Sequence, residues 1–166
     1  MLKKIKREAL LPRVKLLLLA VCLLASCDGT VYHRFEPVDD AWWAATDTLQ
    51  FVYEGTGSVS GSSVMELSLQ VRYGADYKYK NLCMRVETFR ASGNTLLSVD
   101  TLCCQMYSEN GRRLGSTAGI MYQNVSNAVD VAASRSDTLL LRVVNIMRDD
   151  CLQNIFDVGV RLAAKR

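Results

Sequence analysis

From Met65 to Tyr73 the chain is apolar at every odd position and polar at every even one: Met65, Leu67, Leu69, Val71 and Tyr73 against Glu66, Ser68, Gln70 and Arg72. A period of two belongs to a β-strand, whose successive side chains point to opposite faces, so this segment has one buried and one wet face. The same period recurs along the chain. Leu49, Phe51 and Tyr53 alternate with Thr48, Gln50 and Val52. Leu82, Met84 and Val86 alternate with Cys83, Arg85 and Glu87. Leu102, Cys104 and Met106 alternate with Cys103, Gln105 and Tyr107, and Phe156, Val158, Val160 and Leu162 alternate with Asp157, Gly159 and Arg161. Leu139–Met147 is apolar on both faces except at Arg142 and Asn145, which predicts a central strand covered on both sides.

Connections between these runs carry turn chemistry. Glu54–Ser63 is a Gly/Ser stretch, Gly74-Ala75-Asp76 and Ala91-Ser92-Gly93-Asn94 are turns, and Asn110-Gly111 suits a tight turn that needs positive φ. Residues 112–134 are the least legible, with a strand expected near Ile120–Gln123, and Arg148–Asn154 reads as a connection with a helical turn. No 3.6-residue period is sustained in this part of the chain. Short strands separated by turn clusters predict an all-β fold, an antiparallel β-sandwich of seven to nine strands in jelly-roll or immunoglobulin-like order.

The first residues obey a different rule. Lys3, Lys4, Lys6, Arg7, Arg13 and Lys15 precede an apolar run, Leu16–Leu24, and Leu24-Ala25-Ser26 brings small residues up to Cys27. A basic region, an apolar region and a small-residue cleavage site make a secretory signal. The run is too short to span a hydrocarbon core roughly 30 Å thick, which takes about 20 residues. The order Leu-Ala-Ser-Cys resembles the bacterial lipoprotein signal, in which the cysteine thiol takes a diacylglycerol, cleavage falls before it and the new amino group is acylated. Cys27 is then the lipid attachment site and the first mature residue. Three acyl chains at roughly 0.8 kcal/mol per buried methylene hold a protein to a membrane permanently. The expected organisation is a signal peptide over 1–26, a lipidated N-terminus and tether over 27–46, and one sandwich domain over 47–166. The expected place is the cell envelope, on a membrane, facing the periplasm rather than the cell surface.

Without residues 1–26 the chain keeps 14 Lys+Arg against 16 Asp+Glu, so the formal charge of +3 becomes −2. A mildly acidic domain has no clustered basic face, and no nucleic-acid partner is expected. Four cysteines follow Cys27: Cys83, Cys103, Cys104 and Cys151. Cys103 and Cys104 are neighbours on a strand and point to opposite faces. The first expectation is four small buried thiols; the alternative is a single Cys104–Cys151 or Cys83–Cys103 disulfide. Their spacing, with no histidine near, does not suit zinc or a redox pair.

Candidate site residues are few. In the tether, Trp42 and Trp43 are the residues to stack on sugar rings, joined by Tyr77 and Tyr79, although one core tryptophan beside a half-covered neighbour is the plainer expectation. Asp-Thr-Leu occurs three times, each opening an apolar stretch, and looks like the Asp-Ser/Thr-aliphatic signal for periplasmic O-glycosylation, with Thr48, Thr101 and Thr138 as acceptors. The one histidine, His33, lies in the tether, away from a nucleophile, and the Gly/Ser stretch matches neither a phosphate loop nor a nucleophile elbow. No catalytic residue, metal or cofactor is expected.

Three segments carry a likeness in their order: Arg72-Tyr73 with Tyr77–Leu82; Asp100-Thr101-Leu102 with Asn110-Gly111-Arg112; and Met147-Arg148, Leu152 and Ile155-Phe156-Asp157-Val158-Gly159-Val160. Together with the signal they resemble the GldH family of gliding-motility lipoproteins of Bacteroidetes. Asn154 stands where that family commonly has glycine. The resemblance implies a non-enzymatic envelope lipoprotein that works with gliding and type IX secretion proteins, and it supplies no catalytic residue. A lipid-anchored glycan-binding module is the alternative function.

Overall fold

The computed structural model describes residues 29–55 and 64–165. The signal segment, Cys27 and most of the Gly/Ser connection lie outside the described residues. Twelve strands are described in chain order: β1 (Thr30–Pro37), β2 (Trp42–Ala44), β3 (Leu49–Tyr53), β4 (Met65–Tyr73), β5 (Asn81–Arg90), β6 (Thr95–Gln105), β7 (Ser116–Ala118), β8 (Met121–Val125), β9 (Val129–Val131), β10 (Leu139–Asn145), β11 (Cys151–Gln153) and β12 (Ile155–Ala164). All pairings are antiparallel.

One sheet runs β1-β12-β4-β8-β7, with β9 also on β4, and the other runs β3-β10-β5-β6. Counting β8 and β9 as one interrupted strand, the eight principal strands pair first with last, second with seventh, third with sixth and fourth with fifth. That nesting is jelly-roll order, which decides between the two sandwich alternatives. A ribbon of β2 and β11 closes one end.

The alternation decides what is inside. Met65, Leu67, Leu69, Val71 and Tyr73 of β4 are fully buried against Phe51, Leu82, Met84, Val86, Leu102, Leu139, Leu141 and Val143 of the other sheet. Burial of each such side chain is worth about 1.5–3 kcal/mol. Tyr53 sits in this core with its hydroxyl donating to the Arg135 carbonyl at 2.7 Å. Cys104 is fully buried on β6, and burial pushes its thiol up to about 12.

Four expectations need correction. The tether is not one: Thr30–Pro37 pairs along β12 from Thr30↔Ala163 to Pro37↔Asp157, and Trp42–Ala44 pairs with β11, so the domain begins before residue 47. An edge strand with a register shift between Thr30 and Tyr32 shows little alternation, which hid it. The expected helical turn in 148–154 is instead β11. Central as it is, β10 is covered on one face only by the described residues, with Leu140, Arg142 and Val144 half-buried on the other. Of the four thiols, Cys83 and Cys103 form a disulfide, one of the two bridges considered, across directly paired positions of β5 and β6. Cys104 and Cys151 are free, the second half-buried. The strand pair, and not the sequence spacing of 20, brings the bridged sulfurs together.

Candidate functional site

The outer faces of the two sheets differ in kind. On the larger sheet, Gln70 of β4 is almost fully buried although it points away from the core. Its Oε1 meets His33 Nε2 of β1 at 3.1 Å and accepts from Gln123 Nε2 of β8 at 3.1 Å. Gln123 Oε1 in turn accepts from Arg72 Nε at 3.1 Å. The Arg72 guanidinium lies 3.8 Å from the centre of the Phe35 ring and 3.9 Å from Asp157. Phe35 reaches that position because its cross-strand neighbour is Gly159; a Cβ there would come within 2.7 Å of the ring. Four strands are thus tied across their outer side by polar groups that serve one another.

The four-stranded sheet presents the reverse. Val52, Leu140, Phe89 and Leu96 occupy paired positions on β3, β10, β5 and β6, one apolar row across the whole sheet. Val52 and Leu96 are each 50% exposed. The next outward row is Gln50, Arg142, Glu87 and Val99, and Val99 is 53% exposed. Arg142 lies over the Phe89 ring at 4.9 Å, while its Nε is buried with no hydrogen-bond acceptor. A buried donor without a partner costs about 1–3 kcal/mol, and among the described residues this Nε has none.

The proposed stacking residues are split. Trp42 is exposed on β2 and pairs with Gln153. Trp43 is 1% exposed, with its indole N–H donating to the Asp47 carbonyl at 3.1 Å, and Tyr77 is 3% exposed, with its hydroxyl donating to the Asn81 carbonyl at 3.0 Å. Burial raises the Tyr77 phenol well above its ordinary pKa. Rings inside the fold have no open face for a sugar, so Trp43 and Tyr77 leave the stacking set and are core and anchor residues. Tyr79 is half-buried and donates to the Asp149 carboxylate, a hydrogen bond that raises its phenol pKa. The notch among Lys78, Tyr79, Asp149, Cys151 and Gln153 measures about 40 Å³. A cavity of about 400 Å³ lies between the loop after β1 and the start of β3, lined by Asp39, Trp43, Asp47 and Thr48 among others.

Of the proposed glycosylation acceptors, Thr48 and Thr101 are exposed and Thr138 is half-buried, its carbonyl accepting from Ala91 N at 2.9 Å. His33 is on β1, not on a tether, and its ring meets Gln70. Among the described residues no group of three His, Cys, Asp or Glu stands close enough to hold a metal ion, and no helix is long and apolar enough to cross a membrane. Neither outer face was singled out from sequence. Alternation says which residues point outward, but only the register places Val52 beside Leu140 or Phe35 beside Gly159. The available signal was the mixed pattern of Leu139–Met147, whose apolar outward positions have no second layer above them among the described residues.

Solved structures with a similar course share little sequence. The Eiger TNF of S. frugiperda is 11% identical over 81% of this chain and 93% of its own, with a TM-score of 0.31. Infectious bursal disease virus VP2 is 12% identical over 84% of this chain and 34% of its own, with a TM-score of 0.33. The latent PorU of Porphyromonas gingivalis is 12% identical over 85% of this chain and 14% of its own, with a TM-score of 0.30. At those scores the likenesses carry no argument. No curated protein matches the sequence. A family model described as GldH lipoprotein matches residues 30–162, from the first residue of β1 to within two residues of the end of β12, and the chain belongs to the GldH lipoprotein family.

Proposed function

We propose that this protein is a membrane-anchored envelope lipoprotein, held by acyl chains on Cys27, that takes part without catalysis in a gliding-motility and type IX secretion assembly through protein contacts. The observation that supports contact as the mode of action is the apolar row Val52, Leu140, Phe89 and Leu96. Apolar surface left in water favours association by roughly 25 cal/mol per Å² buried. The partner therefore presents apolar side chains to this row. Facing the periplasm, the domain meets other envelope proteins.

The test is complementation. A strain deleted for the gene is scored for secretion, motility and envelope integrity, then supplied with the parent chain or with a Val52→Asp/Leu96→Asp variant. Parent and variant both accumulate in the membrane fraction, and only the parent restores the lost trait. Full restoration by the double variant overturns the assignment of that face.

A further inference from the structure

We infer that the domain stands directly on the membrane by the end of the sandwich where β1 begins and β12 finishes, with no spacer between lipid and fold. This rests on the reading of Cys27 as the lipid site.

Order starts very early in the mature chain. Gly29 O accepts from Ala164 N at 2.8 Å, Thr30 pairs with Ala163, and Arg161 Nε donates to the Thr30 hydroxyl at 2.9 Å. The backbone is therefore fixed in the sheet from Gly29 onward. Only Asp28 separates it from Cys27, and consecutive Cα atoms are about 3.8 Å apart, so Gly29 lies within about 7.6 Å of the acylated residue whatever path the chain takes. The headgroup layer is itself about 6 Å deep on each side of the hydrocarbon core. Gly29 is thus held at headgroup level.

The fold then dictates which other residues share that level. β12 ends beside Gly29, and Ala164 pairs with Met65, which pairs with Val131. The Tyr53 hydroxyl binds the Arg135 carbonyl, and Ala91 N binds the Thr138 carbonyl, which brings the 135–138 turn and the β5–β6 hairpin to the same end. Exposed Arg135 is here, suited to anionic headgroups, which attract a nearby basic side chain by about 1 kcal/mol, while Lys165 pairs with Asp130. The opposite end carries exposed Asp39, Asp40, Asp47, Asp76, Asp149 and Asp150 together with exposed Lys78, Lys80, Arg112 and Arg148. The eleven-residue β6 spans about 35 Å at 3.3 Å per residue, so the aspartate-rich end and Trp42 are presented well clear of the bilayer.

The test uses the full chain, processed and lipidated in a bacterial host, in a Cys151→Ser background. A donor dye is placed at Ser92→Cys, on the β5–β6 turn, or at Glu109→Cys, at the opposite end. Each protein is reconstituted into phosphatidylethanolamine/phosphatidylglycerol vesicles that carry a headgroup-linked acceptor. The Ser92 dye transfers energy at least threefold more efficiently than the Glu109 dye, and ten Gly/Ser residues inserted between Asp28 and Gly29 erase the difference. Mass spectrometry of the N-terminal peptide keeps the two ideas apart. An unacylated Cys27 overturns the anchor itself, whereas an acylated chain with equal transfer from both dyes overturns the standing geometry alone.

Discussion

The two outer sheet faces are built from the same alternation and end in opposite states. Around Gln70 each polar group is answered by another: His33 and Gln123 by Gln70, Arg72 by Gln123, Asp157 and the Phe35 ring. Around Arg142 the paired neighbours are Gln50 and Glu87, its guanidinium lies over Phe89, and among the described residues the Nε has no acceptor. The first face is closed by its own hydrogen bonds; the second leaves an apolar row half in water. A polar sheet surface is therefore not by itself a binding surface, and what matters is whether its hydrogen bonds are already made.

Experiments on the isolated domain can break this contrast. The largest effect is expected where the open sheet is covalently tied: Cys83→Ala/Cys103→Ala frees a loop whose ends are 20 residues apart, and urea denaturation should show a loss of about 3 kcal/mol. On the closed face, Gly159→Ala drives a methyl into the Phe35 ring and lifts it off Arg72; thermal unfolding should register about 1–3 kcal/mol. A matched pair of substitutions then compares the faces directly. Gln70→Met strips His33 and Gln123 of their shared acceptor and should cost about 1 kcal/mol. Arg142→Met removes an unmet donor along with a cation–π contact worth about 0.5–1 kcal/mol, and its stability should equal or exceed the parent's. If Arg142→Met is the more damaging of the two, the open face is not open. The smallest effect belongs to Val52→Asp/Leu96→Asp, which should leave the isolated domain within about 0.5 kcal/mol of the parent in chemical denaturation.

Alternation was legible wherever one face packs on the core. Met65–Tyr73 shows it best because β4 is flanked by β12 on one side and by β8 and β9 on the other, with its inward side chains fully buried. It failed at the margins. β1 lies at a sheet edge with His33 and Arg34 both exposed, so no single polar face marks it as a strand. Leu97 is the extra residue of a bulge opposite Thr88 and Phe89, which shifts the period in the first half of β6. Residues 112–134 break into three short strands, β7, β8 and β9, each too short to display a period. The disulfide was one of two bridges considered from the cysteine positions, and only the β5–β6 register selects it. Of the residues that carry the family resemblance, Arg72, Asp157 and Gly159 come together at one place on the closed face, a grouping that sequence order alone does not reveal.

The pairing of first strand with last sets a timetable for the chain. β12 lies between β1 and β4 and is the neighbour of both, so the larger sheet cannot assemble until the final strand has been made. Until then Thr30–Pro37 has no β12 to pair with, and loop closure over most of the chain makes the last step slow. A stop codon only ten residues early would leave β1 and β4 facing an empty slot.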